Sequence, residues 1–242
     1  MYDIHCHILP EVDDGAVNLD MTRSMLQISI DQGIKGIIAT PHYHGSMKDS
    51  IFTKWDVAFE ETKKIATEID PNFKIFRGAE IYYDSRIIEF LHAGAPITMN
   101  NSKFILIEFP PDVDISYIRY SVQELIYEGF KPIIAHVERY QNVGKLDNLR
   151  YLHELGALFQ VNATSLDGNS GLKMKSHSGK LLKNSLIDAI GSDSHSDTWR
   201  SPQILSCKKI LDRKVGAEKC HGLFSDLFNQ ITSAPTIGEE LS

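Results

Sequence analysis

Lys131-Pro132-Ile133-Ile134-Ala135-His136 is a short apolar run that ends in a histidine. It is rich in Ile and shows no polar–apolar alternation, the pattern of a strand covered on both faces. Six more runs of this kind recur along the chain: Tyr2–Cys6, Gly36–Thr40, Phe73–Glu80, Lys103–Phe109, Ala157–Val161 and Leu186–Ser192. Between them lie segments with helical periodicity. Asp20 to Gly33 places Met21, Met25 and Ile28 on one face, with an acid at its start and a glycine at its end. Ser50 to Ile69 and Ile115 to Gly129 read the same way. Strand and helix alternate throughout, which predicts an α/β fold with a parallel sheet and helical crossovers. Seven such units suggest a relative of the eight-fold barrel, with an open doubly wound sheet as the alternative.

The likeliest loops are Pro10–Asn18, Pro41–Asp49, Pro110–Asp114 and Ser165–Ser178. None has the length or composition of an interdomain linker, so residues 1–242 are expected to form one domain. The balance of 42% hydrophobic to 24% charged residues is that of a globular chain and excludes a disordered one. The net charge of -7 argues against sequence-independent nucleic-acid binding, which needs a basic face. No apolar stretch is long enough to span a bilayer, and the opening residues carry no signal-peptide pattern. Cys6, Cys207 and Cys220 lack CxxC spacing and read as free thiols in a reducing cytoplasm.

The chemistry sits where the apolar runs stop. His5 and His7 close the first, His42 follows the second, Glu80 ends the third and Glu108 the fourth. His136 ends the fifth, and Asp193 and His195 follow the seventh. Any one of these alone reads as an ordinary satisfied polar side chain. Six of seven runs ending this way is another matter, because the C-terminal ends of parallel strands share one face. The pattern predicts a centre of several metal ions. Imidazole and carboxylate without thiolate suit Mn, Fe or Zn. Cys6 lies between the two histidines and is expected to face the other side of its strand, packed rather than ligating. Carboxylates crowded together without cations are expected to repel and to have raised pKa values.

These residues resemble the polymerase and histidinol phosphatase (PHP) superfamily, and within it the bacterial CpsB/YwqE-type tyrosine-protein phosphatases of capsule and exopolysaccharide loci. The likeness rests on Asp3-Ile4-His5-Cys6-His7, Val12-Asp13-Asp14-Gly15, Thr40-Pro41-His42, Gly78-Ala79-Glu80-Ile81-Tyr82-Tyr83, Leu106-Ile107-Glu108-Phe109, Pro132 to Tyr140, and Ser192-Asp193-Ser194-His195. It implies a distorted seven-unit barrel holding three divalent ions, with manganese favoured. His5, His7, Glu80 and Asp193 would hold one ion. Glu80 would bridge to a second, held with Glu108 and His136, and Asp14, His42 and His195 would hold the third. Arg139 and Arg200 match the family's phosphate-binding arginines. Three such cations, four ligand carboxylates and two arginines leave a local charge of about +4, which attracts a phosphate dianion.

The implied activity is metal-assisted hydrolysis of phosphotyrosine on the tail of a bacterial tyrosine kinase, with no nucleic-acid partner and no membrane-spanning segment. No CxxxxxR arrangement is present, so no phosphocysteine step is expected. A small-molecule phosphatase such as histidinol phosphatase is the enzymatic alternative, and a metal-binding regulatory module the non-enzymatic one. His44 reads as a solvated loop residue, and Tyr82 as either a substrate contact or core. His92, His153, His177 and His221 lie away from the strand ends. Glu138 is expected either behind the ligands or in a surface ion pair, and Glu239-Glu240 as a solvated end.

Overall fold

The computed structural model describes residues 1–140 and 145–237, so Glu239 and Glu240 lie outside the described residues. The strands are β1 (Asp3–Cys6), β2 (Gly36–Ala39), β3 (His42–His44), β4 (Lys74–Arg77), β5 (Glu80–Tyr82), β6 (Phe104–Glu108), β7 (Lys131–Ile134), β8 (Leu158–Asn162) and β9 (Ala189–Gly191). Every pairing among them is parallel. They form a three-stranded sheet, β1-β2-β4, and a six-stranded sheet, β3-β5-β6-β7-β8-β9. The two sheets meet again at β1 and the end of β9. There Cys6 and Ser194 form an isolated parallel bridge, and the amides of Asp193 and His7 donate to the carbonyls of His5 and Ser194 at 2.8 and 2.9 Å.

One expected strand is broken, and another is followed by an extra strand. Phe73–Glu80 divides at Gly78-Ala79 into β4 and β5, which belong to different sheets. The Gly36–Thr40 run stops before Pro41, which has no amide hydrogen to donate, and resumes as β3 inside an expected loop. The breaks pass the chain from one sheet to the other while neighbouring strands stay in register.

Burial on both faces explains the unbroken apolar runs. Ile4, Ile38, Leu106, Ile133 and Ala189, from five strands of both sheets, pack together with Phe228 and Ile231 of the helix Asp226–Ser233. The alternate residues Ile37, Ile105, Ile107 and Ile134 join the larger core beneath the surrounding helices. The helix Leu19–Asp31 is capped by Asn18, whose side chain accepts the Met21 amide, and it buries Met25 and Leu26. The helix Ser50–Ile69 has the expected bounds, and Ile115–Tyr127 stops two residues short of Gly129. The stretch Ser165–Ser178 is not a loop. It contains the end of the helix Ala163–Asp167 and the start of Leu172–Lys183, the latter buried only through Ser178, Leu181 and Leu182.

Candidate metal centre

Parallel register brings the strand ends together. His42 on β3 pairs with Glu80 on β5, and Glu108 on β6 sits one pleat further, opposite Tyr82. His136 follows β7, and Asp193 and His195 follow β9 beside His5 and His7. The Nε2 atoms of His5 and His7 lie 3.2 Å apart, and each lies 3.2 Å from Glu80 Oε2. Asp193 Oδ1 is 3.6 and 3.7 Å from the same two nitrogens. His136 Nε2 contacts Glu80 Oε1 at 2.9 Å and Glu108 Oε1 at 3.3 Å. Asp14 Oδ1 is 3.4 Å from both His42 Nε2 and His195 Nε2. Donor atoms of His5, His7, Glu80 and Asp193 all lie within 4.8 Å of one another, as do those of His7, Asp14, His42 and His195. His42, Glu80 and Glu108 form a third such group, which overlaps the expected set of Glu80, Glu108 and His136.

The donors fit divalent cations better than they fit each other. Glu80 Oε2 is buried with three imidazole nitrogens at 3.1–3.2 Å, yet it makes no hydrogen bond among the described residues. The buried His195 Nε2 also has none. Two nitrogens about 2.1 Å from one ion, at angles of about 90–109°, would stand about 3.0–3.4 Å apart, which is the His5–His7 spacing.

Without cations, protons and guanidinium groups neutralise the carboxylates, so the expected rise in carboxylate pKa is not what the site shows. Burial alone would raise Glu80, but the charge of His5, the hydrogen bond from His136 and the close imidazoles of His42 and His5 outweigh it and hold Glu80 well below its usual range. Burial acts the same way on Asp193 and is overcome by His5, then Arg139 and His136. Burial would lower His7, yet its hydrogen bond to Asp13, then the nearby Glu80 carboxylate, lifts it to about 10. His136 is lifted to about 9 against burial by Glu108 and Glu80. His195 goes the other way, to about 3, through burial and then the positive charge of His7.

Three orienting residues carry no strong sequence signal. Asp13 Oδ2 accepts from His7 Nδ1 at 2.8 Å and from the His42 amide at 3.0 Å. Gln160 Oε1 lies 3.0 Å from His5 Nδ1 and accepts the His136 amide at 2.8 Å. Gln160 then donates to Asn162 Oδ1, and Asn162 donates to Asp193 Oδ2 at 2.7 Å. The run Ala157–Val161 was the one expected strand without a terminal acid or histidine. Extended by one residue to Asn162 on β8, it serves the centre through amides instead. Their one signal is two polar residues at i, i+2 on a buried strand. Such partners fix the ring tautomer, leaving the other nitrogen free for a metal.

Backbone strain gathers here. His136, Asp193 and Arg200 have φ of 32°, 53° and 57°, each left-handed and costing about 1–3 kcal/mol. The Gln160 bond to the His136 amide, the Asp193 amide bond to His5 and the His195 amide bond to Arg200 hold them there. Gly15 is required by close approach: a Cβ there would lie 2.2 Å from the His7 carbonyl oxygen.

Both arginines converge on Asp193. Arg139 Nη2 is 2.7 Å from Oδ2 and Arg200 Nη2 is 2.6 Å from Oδ1. They line a cleft of about 590 Å³ beside the centre, together with Asn162, Asp193 and residues of the loops after β8 and β9. Cys6 faces away, its Sγ 3.0 Å from Ser194 Oγ. Glu138 is buried and accepts the Asn162 amide, which excludes a surface ion pair. Tyr82 is exposed rather than core, and His44 is exposed with a bond to Ser46. His92 and His153 pair with Glu128 and Asp188, and His177 contacts the Glu138 carbonyl, all away from the centre.

A family model described as "Capsular polysaccharide synthesis, CpsB/CapC" matches residues 1–232. The chain belongs to the CpsB/CapC family. The tyrosine-protein phosphatase YwqE of Bacillus subtilis is 34% identical over 220 residues, covering 90% of this chain and 86% of YwqE. A crystal structure from work on YwqE and Streptococcus pneumoniae CpsB, described as unique metal-dependent tyrosine phosphatases, superposes with a TM-score of 0.86. It is 30% identical and covers 96% of this chain and 94% of its own. Histidinol phosphate phosphatase of Lactococcus lactis superposes with a TM-score of 0.57 at 16% identity, over 89% of this chain and 94% of its own. That likeness concerns the fold alone.

Proposed function

We propose that this chain is a metal-dependent protein-tyrosine phosphatase that acts on a bacterial tyrosine kinase controlling capsular or exopolysaccharide synthesis. The observation that carries the reading is the meeting of the strand-end histidines and carboxylates, joined through Asp193 to two arginines that line the neighbouring cleft. Three divalent ions, with manganese favoured, would be held as the resemblance implies: one by His5, His7, Glu80 and Asp193, one by Glu80, Glu108 and His136, and one by Asp14, His42 and His195. With β2 counted together with β3, and β4 with β5, the strands read as seven units of a distorted barrel that closes between β9 and β1. The bridge at Cys6 and Ser194 supports that count.

When bound, the ions would lower the pKa of water and neutralise phosphate charge. The chain's own residues do the rest. Gln160 and Asp13 orient His5 and His7. Asp193 would serve as a ligand to a cation, and Arg139 and Arg200, which reach it at 2.7 and 2.6 Å, would offer bidentate hydrogen bonds to phosphate oxygens. A phenolate with a pKa of about 10 leaves with less need of a proton than an alkoxide has. Cysteine chemistry does not fit: burial pushes the Cys6 and Cys207 thiols up, and Cys220 is pushed up to about 12 by burial and Asp212. No described helix is long and apolar enough to cross a membrane, consistent with action in the cytoplasm.

The test compares hydrolysis of a phosphotyrosine peptide and of histidinol phosphate, with and without Mn²⁺. Manganese-dependent turnover of the peptide is expected. Turnover of histidinol phosphate alone would replace the reading with the small-molecule one, and inactivity toward both would leave a regulatory module. Metal analysis of protein purified without chelators identifies the ion.

A further inference from the structure

The cleft beside the metal centre is larger than one phosphotyrosyl ring needs. Its volume of about 590 Å³ is that of a site for a drug-sized ligand. Arg139 and Arg200 line it beside Asp193. The rest of its lining, from the helix Ala163–Asp167, the turn after it and the segment after β9, includes Thr164, Asn169, Ser170, Thr198 and Gln203, all neutral hydrogen-bonding side chains. Such a wall suits the amides of an extended peptide and supplies no charge to select charged neighbours.

Trp199 stands at the rim of this cleft, next to Arg200, with 75% of its surface exposed. Its backbone is held in place. The amides of His195 and Ser196 donate to the Arg200 carbonyl at 2.9 and 3.5 Å, and the Ser196 hydroxyl bonds the Trp199 carbonyl. The ring is therefore carried on a tied loop beside the Arg200 guanidinium, and no ring or cation contact to it occurs among the described residues. Aromatic rings attract other rings at offset or edge geometries beyond what area alone gives.

We infer that Trp199 is a specificity-determining residue whose indole packs on an aromatic side chain adjacent to the phosphotyrosine of the substrate, while the neutral wall receives the flanking main chain. This rests on the tyrosine phosphatase reading above. It assigns the substrate a chemical character: an extended, uncharged segment with a ring next to the phosphorylated one.

Two phosphotyrosine peptides distinguish the outcomes, one with Phe on both sides of the phosphotyrosine and one with Ala on both sides, assayed on the manganese-loaded enzyme. The wild type is expected to favour the Phe peptide by about tenfold in kcat/KM, mostly through KM. Trp199→Ala is expected to bring that ratio near unity, and Trp199→Phe to keep most of it. In a Trp55→Phe background, a non-hydrolysable phosphonate version of the Phe peptide should change Trp199 emission, while the Ala version should change it little. Equal turnover of the two peptides by the wild type, or a ratio that Trp199→Ala leaves at the wild-type value, overturns the inference alone. Failure of the loaded wild type to hydrolyse either peptide overturns the phosphatase reading itself.

Discussion

Loading the centre with metal should release protons, and the structure says how many. His7 is held at about 10 and His136 at about 9, so both carry a proton at pH 7 in the metal-free protein. Metal ligation requires the neutral ring, so about two protons must leave as the centre fills. His42, also raised, by Glu80 against burial, adds to this number. His195, at about 3, is already neutral, and Glu80 and Asp193 are already ionised, so they contribute none. The sign follows directly. Below pH 9 the overall loading constant should rise at least about a hundredfold per pH unit, and the share from His7 and His136 should fade as pH passes 10 and both rings lose their protons unaided. Calorimetric titration with Mn²⁺ at pH 7, in two buffers of different ionisation enthalpy, counts the protons. A heat of binding independent of buffer would mean that the rings are neutral before metal arrives, and would refute the account of how the empty centre balances its charge.

Gln160→Leu should leave the chain folded but weaken metal binding about 10–100-fold, because His5 loses the partner that orients it. The abandoned His136 amide adds about 1–3 kcal/mol of destabilisation, readable as a lower melting temperature of the metal-free protein. Arg139→Ala should raise KM and lower kcat together while metal content, measured by elemental analysis, stays at the wild-type level; release of metal would show that the arginine serves Asp193 and not the substrate. His136→Ala should remove metal and activity together, and a fully loaded but inactive variant would contradict its place among the ligands.

Most of the candidate ligands were legible because they are histidines or acids where an apolar strand stops. Chain order hides nothing there: a strand buried on both faces has no other way to carry Glu108 or Asp193 at its end. What supports them was harder to see. Gln160 and Asn162 are neutral amides, a type found in every kind of segment, and only the register of β8 against β9 shows that they reach His5 and Asp193. Asp13 was eclipsed by Asp14 beside it, since adjacency cannot say which carboxylate turns inward to His7. The break at Gly78-Ala79 was missed because both halves are apolar, and a local pattern does not record a change of sheet. The stretch Ser165–Ser178 misled through its Ser, Gly and Asn content, although its helices need little apolar surface where they pack.

The joining of β1 to the end of β9 has a consequence for how the protein is made. Asp3 accepts the amide of Ser192 at 2.9 Å, and Cys6 meets Ser194, so the first strand finds its last neighbour almost two hundred residues downstream. His5 and His7 leave the ribosome early and must wait for Asp193 and His195. Contacts this distant close late and slowly. A nascent chain halted before residue 193 would present the imidazoles of His5 and His7 without Asp193 and His195 beside them, so the candidate centre cannot assemble until both ends of this stretch are made.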